Sequence, residues 1–265
     1  MTITVCVAGA TGWVGQPLCA AIADADDMQL VGAVARNHAG RSLSDIVQDP
    51  RLDLKVSGTV AQALETPTDV LVDYAGAAAV KENVLAAIDR GVHVVIGSSG
   101  LTEADYAEID QAARQRQVGV IAAGNFSITA VLLERFACEA ARYLAHWEIV
   151  DYASAAKIDA PSGTARELAY RLAEVGQPQL THPIDATIGP RESRGVTLNG
   201  SQIHSIRLPS FVISIEAIFG AADERLTIRH DAGASATPYI QGTLLAIRRV
   251  GRQVGLVRGL DRVLD

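Results

Sequence analysis

Three glycines spaced three residues apart lie near the start of the chain, directly after an apolar run from Ile3 to Ala8. At Gly9, Gly12 and Gly15 bare backbone can turn tightly and approach a pyrophosphate, and the N-terminus of the apolar-periodic helix that follows would face that anion. This order predicts a dinucleotide-binding loop, and a glycine-rich turn without a ligand is the alternative. The predicted loop consists of Gly9, Ala10, Thr11, Gly12, Trp13, Val14 and Gly15.

The end of the second predicted strand, Met28 to Val34, indicates which dinucleotide this loop would take. An NAD-binding fold places a carboxylate about 20 residues past the glycines, where it accepts a hydrogen bond from the ribose 2′-hydroxyl. This chain has Ala35 and Arg36 there, and Arg36 can pair with a 2′-phosphate. We therefore predict NADPH as the cofactor, with NADH as a second one it can use; a solvated loop charge is the alternative for Arg36.

A second group of reactive residues lies in the middle of the chain, between Lys157 and Thr164. Ser162, Gly163 and Thr164 enter a predicted helix, where their N–H and hydroxyl groups can hold a carboxylate. Lys157 can donate a proton or pair with an anion, and we predict that it is catalytic. An ordinary helix N-cap with an exposed lysine is the alternative.

Strands alternate with helices through the first half of the chain, which predicts a parallel sheet of the Rossmann type. Ligands bind at the carboxyl ends of such strands. Two more of these ends are small, polar or glycine-rich, and we expect them to contact the cofactor. Their residues are Gly97, Ser98, Ser99, Gly124, Asn125 and Phe126.

The second half of the chain predicts a different domain, because strands 202–207, 212–219 and 224–230 follow one another without helices. We expect an α+β domain with a mixed or antiparallel sheet. The predicted boundaries are 1–126 and 236–265 for the dinucleotide-binding domain, and 127–235 for the substrate-binding and oligomerisation domain. Residues 256–264 are expected to form a short closing tail.

Composition excludes several classes of function. The formal charge of -7 argues against nucleic acid as a partner, and no apolar run is long enough to cross a membrane. The six histidines show no metal-ligand spacing, so no metal site is predicted. Three widely separated cysteines in apolar segments favour a reduced, cytoplasmic protein.

The apolar composition of one predicted strand favours self-association. A strand buried on both faces has a near-continuous apolar run, and a second copy would cover the outer face. We therefore expect a homo-oligomer, most simply a homotetramer. The residues of this run are Val212, Ile213, Ile215, Ala217, Ile218 and Phe219.

Together these motifs resemble the dihydrodipicolinate reductase family over the whole chain. The segment Lys157–Ala165 is similar to the family signature, Gly97–Gly100 to its Gly-Thr-Thr-Gly turn over the nicotinamide, and Asn125–Ser127 to its hinge. Ile203–Pro209 and Glu224–His230 resemble strands of its second domain. The resemblance implies hydride transfer from NAD(P)H to a small cyclic dicarboxylate in lysine (diaminopimelate) biosynthesis, by a tetramer.

Two positions depart from the family pattern. The family carries a His-His pair just before the lysine, and one of these histidines donates a proton; this chain has Ala153 and Ser154 there. The family's glycine loop often carries Arg-Met where this chain has Trp13-Val14. The departures indicate a divergent member, with Asp151, Tyr152 or water in place of the missing acid. The leading interpretation is a reductase that transfers hydride to a C=N or conjugated C=C bond of a small carboxylated substrate.

Other functions stay open at this point. A paralogous imine reductase could act on a different carboxylated substrate, and a non-catalytic NADP(H)-binding protein would need no acid. Short-chain dehydrogenases need a Tyr four residues before a Lys, but Tyr152 lies five before Lys157. Semialdehyde dehydrogenases need a nucleophilic cysteine, and Cys138 lies in an apolar helix where a thiol is usually inert.

Overall fold

The computed structural model describes residues 2–264. The strands are, in chain order, β1 (Ile3–Ala8), β2 (Met28–Val34), β3 (Val70–Asp73), β4 (His93–Ile96), β5 (Gly119–Ala122), β6 (His146–Ser154), β7 (Val196–Leu198), β8 (Ser201–Leu208), β9 (Ile213–Ala221), β10 (Glu224–Ala232) and β11 (Gly255–Arg258). The α-helices are α1 (Gly15–Asp24), α2 (Leu43–Val47), α3 (Val60–Ala63), α4 (Val80–Asp89), α5 (Glu103–Arg116), α6 (Ile128–Ala140), α7 (Gly163–Val175) and α8 (Thr237–Val250). Shorter 3-10 helices cover Arg36–His38, Ile184–Ala186, Arg191–Arg194 and Leu260–Val263.

The chain divides into two compact units. Residues 2–127 and 236–264 pack together as the first, and residues 128–235 form the second. The first unit combines the N-terminal part of the chain with its C-terminal helix and strand. Each unit has its own sheet and its own buried core.

In the described part of the first unit, a six-stranded sheet has the order β11-β5-β4-β3-β1-β2, with every pair parallel. Strands β3 and β5 are buried along their whole length, as expected for a sheet covered on both faces. The expected closing tail is wrong in part, because Gly255–Arg258 pairs with β5 and extends the sheet. The sequence favours a further short strand at residues 54–56, but only an isolated bridge between Lys55 and Ser42 forms there.

In residues 128–235, the second sheet has five strands in the order β10-β9-β6-β8-β7. Strands β6 and β8 are parallel and the other pairs are antiparallel, which confirms a mixed sheet. Helices α6 and α7 cover one face with an apolar core that includes Leu133, Leu168 and Ile149. Strand β7 has three residues and forms one edge of this sheet.

The side chains of β9 alternate between the two faces of the sheet, so the apolar residues from which self-association was inferred do not share one face. Ile215, Ala217 and Phe219 are buried in the core beneath α6 and α7. Glu216 and Ile218 alternate with them and lie on the opposite face. This outer face of the sheet is therefore partly charged, and it is not the continuous apolar surface that the sequence predicts.

Among residues 2–264, no helix is long and apolar enough to cross a membrane. None of the three cysteines forms a disulfide within residues 2–264, and burial raises the pKa of both Cys6 and Cys19 to about 12. Cys138 is half-buried in α6. A thiol with a raised pKa is a poor nucleophile, so neither Cys6 nor Cys19 suits the chemistry of a semialdehyde dehydrogenase.

Candidate active site

The glycine loop lies between β1 and α1, and close backbone contacts require glycine at two of its positions. Gly9 has a positive φ of 82°, and a Cβ there would lie 2.4 Å from the carbonyl oxygen of Tyr74. A Cβ on Gly15 would lie 2.0 Å from the carbonyl oxygen of Gly9. The Gly12 amide donates to that same oxygen at 2.9 Å, and Gly12 itself is exposed. The loop thus presents bare backbone at the N-terminus of α1.

Asp73 connects two of the neighbouring strand ends. It is fully buried at the end of β3, where its carboxylate accepts the Ser98 hydroxyl at 2.6 Å and the Asn83 amide at 2.8 Å. The Ser98 hydroxyl oxygen also accepts the Gly76 amide at 3.0 Å. Burial raises the pKa of Asp73, and the hydrogen bonds from Ser98 and Asn83 oppose that rise. Sequence reasoning missed this residue, although a carboxylate directly after an apolar strand is a usable signal.

Aromatic packing fixes the ends of β4 and β5. A Cβ on Gly97 would lie 2.2 Å from the ring of Tyr74, so the ring requires glycine there. The Tyr74 hydroxyl is 2.8 Å from the Thr243 hydroxyl, and its ring meets buried Phe126 edge to face at 6.1 Å. The Asn125 side-chain oxygen accepts the Ser127 amide at 2.8 Å. Ser99 and Gly124 are exposed beside these residues.

Arg36 begins the 3-10 helix that follows β2 and is exposed. Within residues 2–264 its guanidinium makes no hydrogen bond or ion pair, so the charge is available to an anion. Trp13, in the glycine loop, is 60% exposed and meets the Tyr239 ring edge to face at 5.7 Å. The first unit therefore contains all the predicted cofactor contacts.

The second unit contains the predicted substrate contacts, in the loop after β6 and the first turn of α7. Lys157 Nζ lies 2.8 Å from the Asp159 carboxylate, and this contact holds the pKa of Asp159 below its ordinary value. Ser162 is the N-cap of α7, and its hydroxyl accepts the Ala165 amide at 3.3 Å. The amides of Gly163 and Thr164 precede the first hydrogen bond of the helix and are therefore open to an anion.

Gly163 has no structural need to be glycine. Its φ is not positive, and a Cβ there would meet no atom of the described chain within 4 Å. A glycine that neither packing nor backbone conformation requires leaves free space over its own amide. The loop accordingly offers a cation, two open amides and the Thr164 hydroxyl on one short segment.

Two residues proposed as substitutes for the missing acid do not suit that role. Asp151 is fully buried and paired with Arg207 at 2.8 Å. Its pKa is lowered although burial alone would raise it, because hydrogen bonds from Ser162 and Arg207 outweigh desolvation. Tyr152 alternates onto the opposite face of the sheet, where its hydroxyl donates to Glu216 at 3.1 Å. That position also excludes a Tyr–Lys pair on one helix, as short-chain dehydrogenases require.

The positions of the family's histidine pair have different surroundings. Ala153 is fully buried, in register with Arg207 on β8 and Ile213 on β9. Ser154 is partly exposed at the end of β6, and its hydroxyl accepts the Ala156 amide at 3.3 Å. Neither side chain can transfer a proton as an imidazole does.

Comparison with known families and structures gives a consistent result. Residues 3–126 match the N-terminal part of dihydrodipicolinate reductase, and residues 129–264 match its C-terminal part. The 4-hydroxy-tetrahydrodipicolinate reductase of Desulfitobacterium hafniense is 39% identical over 265 residues, 99% of both chains. The enzyme of the same name from Moorella thermoacetica is 37% identical and covers 100% of this chain and 98% of its own.

Solved structures agree with this result. The dipicolinate-bound dihydrodipicolinate reductase from Paenisporosarcina sp. TG-14 superposes with a TM-score of 0.86 at 29% identity and covers 100% of each chain. An amine dehydrogenase from Mycobacterium smegmatis, 17% identical with a TM-score of 0.70, shares the fold alone. The predicted resemblance is confirmed: the chain belongs to the dihydrodipicolinate reductase family and is an NAD(P)H-dependent oxidoreductase.

Proposed function

We propose that this reductase acts on 4-hydroxy-tetrahydrodipicolinate, the compound after which its full-length relatives are named. Hydride would be delivered to a C=N or conjugated C=C bond of the ring. The observation that carries the proposal is the loop between β6 and α7, where Lys157 and the open amides of Gly163 and Thr164 lie on one segment. A cation and a helix N-terminus suit a small carboxylated substrate.

The residues of the first unit fit a dinucleotide. Exposed Gly12 leaves bare backbone at the start of α1. A side chain at Gly9 or Gly15 would clash with backbone carbonyl oxygens and displace the loop that presents Gly12. When bound, the dinucleotide supplies the hydride. We assign its binding to Gly9–Gly15, Arg36, Gly97–Ser99 and Gly124–Phe126, and hence to a domain of residues 1–126 and 236–265. Residues 127–235 would bind substrate and form the oligomer.

We assign to Lys157 the stabilisation of the negative charge that hydride addition leaves on the substrate. Lys157 is the only lysine or arginine between Arg142 and Arg166. Its side chain is 31% exposed, so it is partly desolvated and still accessible. Ser162, Gly163 and Thr164 would hold a carboxylate and fix the substrate beside that ammonium.

We infer that NADPH is preferred over NADH, because exposed Arg36 stands where an NAD-binding fold carries an acid. We also infer a homotetramer in the cytoplasm. Cysteines without disulfides in residues 2–264 suit a reducing compartment, and the outer face of the second sheet combines exposed Leu208 with charged Arg229.

A paralogous reductase with a related imine substrate is the second candidate. Ala153 and Ser154 favour it, because the family's proton donor is absent from both positions. The deciding experiment compares kcat/KM for freshly generated 4-hydroxy-tetrahydrodipicolinate with kcat/KM for cyclic imine carboxylates. Turnover is measured as the loss of reduced nicotinamide absorbance. The highest kcat/KM on 4-hydroxy-tetrahydrodipicolinate supports the proposal. A clearly higher value on another imine assigns the chain to the second candidate, and no NADPH oxidation with any of them overturns both.

A further inference from the structure

Asp151 is a fully buried carboxylate, and its burial costs solvation free energy. It lies on β6, on the face covered by α6 and α7, between buried Ile149 and Ala153. A buried carboxylate without partners loses far more solvation than apolar packing returns. Asp151 therefore needs strong compensation to stay in this position.

The compensation comes from three donors on two segments of the chain, the N-cap of α7 and strand β8. Oδ2 of Asp151 accepts the Ser162 amide at 2.8 Å, Nη2 of Arg207 at 2.8 Å and the Ser205 hydroxyl at 3.2 Å. Nη2 of Arg207 also donates to the Asp159 carbonyl at 2.9 Å. The carboxylate thus connects β6, β8 and both ends of the Asp159–Ser162 turn.

The compensation is incomplete. In the described chain, Oδ1 of Asp151 and Nε of Arg207 are buried without a hydrogen-bond partner. Apolar residues of similar volume would often stabilise such a site more than a buried ion pair does. The pair is better explained by the geometry that it imposes on the turn than by a gain in stability.

That geometry concerns the amides that face the substrate. The Ser162 amide, which belongs to the Pro161–Ser162 peptide, points inward to Asp151, and this bond holds the N-cap residue of α7 in place. The helix begins at the next residue, so the position of the N-cap decides where its first amides, those of Gly163 and Thr164, are presented. Arg207 holds the other end of the turn, two residues from Lys157.

We propose that Asp151 is a positioning residue that sets the direction of the Gly163 and Thr164 amides for the substrate carboxylate. The inference rests on the proposed function, because it assumes that these amides bind a carboxylate. Asp151 does not touch substrate. It acts through the Ser162 amide and through Arg207.

The first test compares Asp151→Asn with Ser205→Ala, which removes only one of the three donors to Oδ2. Asp151→Asn should raise KM and the inhibition constant of dipicolinate by at least about tenfold, since it weakens hydrogen bonds to a charged group. Its kcat should change less than its KM, and its affinity for NADPH should equal that of the wild type. Ser205→Ala should stay within about threefold of the wild type in all four constants.

A second measurement does not depend on turnover. Hydrogen–deuterium exchange of peptides spanning residues 157–166 should be at least about tenfold faster in Asp151→Asn, with exchange in β1 and α1 unchanged. Asp151→Glu keeps the charge opposite Arg207 and displaces the acceptor, so it remains testable if Asp151→Asn does not fold. It should raise KM and speed the same exchange to a smaller extent.

A folded Asp151→Asn or Asp151→Glu variant with wild-type KM and wild-type exchange at residues 157–166 overturns the proposal. Equal losses of substrate and NADPH binding also overturn it, because they indicate general destabilisation. If the wild type does not reduce 4-hydroxy-tetrahydrodipicolinate, the proposed function fails. Dipicolinate binding and hydrogen exchange then still decide the role of Asp151.

Discussion

Nδ1 of His38 lies 3.1 Å from Oγ1 of Thr11, so the short helix that follows β2 is held against the glycine loop. Arg36 begins that helix, and its exposed side chain is free within residues 2–264. The contact keeps a free cation close to the segment expected to bind the pyrophosphate. It gives the inferred preference for NADPH a structural basis that Arg36 alone would lack.

Arg36→Ala should weaken NADPH binding about ten- to a hundredfold, because a hydrogen bond to a charged group contributes about 1.5–3 kcal/mol. NADH lacks the 2′-phosphate, so its dissociation constant should hardly change. Fluorescence titration of both cofactors measures the two constants. Arg41→Ala is the matched control, since it removes an exposed arginine from the same segment. Equal losses for both cofactors would show that Arg36 does not contact the 2′-phosphate.

Asp73→Asn tests the buried carboxyl between β3 and β4. Burial raises its pKa in the folded protein above the ordinary 3.8, although Ser98 and Asn83 oppose the rise. The unfolded chain therefore ionises first, and wild-type stability falls as the pH rises above 3.8 until the folded carboxyl has also ionised. Asparagine is uncharged and can still accept from Ser98, so the stability of Asp73→Asn relative to wild type should increase over that interval.

Equilibrium denaturation in a pH series gives the free energy of unfolding for both proteins and hence this difference. Other carboxyls contribute to both curves and cancel in the subtraction. The opposite result, in which the stability of Asp73→Asn relative to wild type decreases as the pH rises, would mean that hydrogen bonding outweighs burial and lowers the pKa of Asp73.

Much of the first unit could be predicted from sequence, because its buried strands are near-continuous apolar runs and close backbone contacts require glycine at Gly9 and Gly15. Thr102 caps α5 as its sequence indicates, in a capping box with Asp105. Strand β11 could not be predicted. It offers only Leu256 and Val257 between Gly255 and Arg258, and it exists because β5 presents an open edge.

The substrate loop could be predicted by residue type, but its support could not. Asp151 and Arg207 are 56 residues apart and meet only because β6 pairs with β8 in one particular register. A shift of β8 by one residue would move Arg207 to the other face of the sheet, away from Asp151. Long-range register of this kind is not encoded in local spacing, so the Asp151–Arg207 pair is visible only in the folded chain.

Light scattering at micromolar concentration tests the inferred homotetramer. The outer face of the second sheet carries Arg229, which contacts Glu216 at 3.4 Å, and its guanidinium lies 4.8 Å from the Tyr152 ring centroid. Glu216→Arg would place two cations together on this face and should dissociate the tetramer. Glu167→Arg, on the exposed side of α7, is a charge-matched control that should leave the mass unchanged. A wild-type monomer would contradict the inference.

Restoring the two family histidines should have unequal effects. Ala153 is fully buried, so Ala153→His must displace its neighbours and should cost about 1–3 kcal/mol of stability. Ser154 is partly exposed, so Ser154→His should leave the melting temperature close to that of the wild type. Higher activity of Ser154→His on 4-hydroxy-tetrahydrodipicolinate would indicate a degenerate lysine-pathway enzyme. Lower activity on the native substrate would indicate a paralogue whose pocket the histidine crowds.

Lys157→Met removes the charge of the predicted catalytic residue and keeps a side chain of similar length. If Lys157 stabilises charge that develops in the transition state, kcat/KM should fall by at least about a hundredfold, mostly through kcat. If it only anchors the substrate carboxylate, KM should rise while kcat stays nearly constant. NADPH affinity should be unchanged in both cases, since the predicted cofactor contacts lie in the first unit.

The matched control is Lys81→Met, which removes an exposed lysine paired with Asp105 and Glu108 in the first unit. It should keep the steady-state constants of the wild type. A second comparison, Asp159→Asn, removes the carboxylate 2.8 Å from Lys157 Nζ and leaves the ammonium in place. Because a free ammonium can reach substrate more readily, this variant should retain most of its kcat while Lys157→Met does not. Equal loss of kcat in both variants would show that the Lys157–Asp159 pair, and not the lysine charge alone, is needed for the reaction.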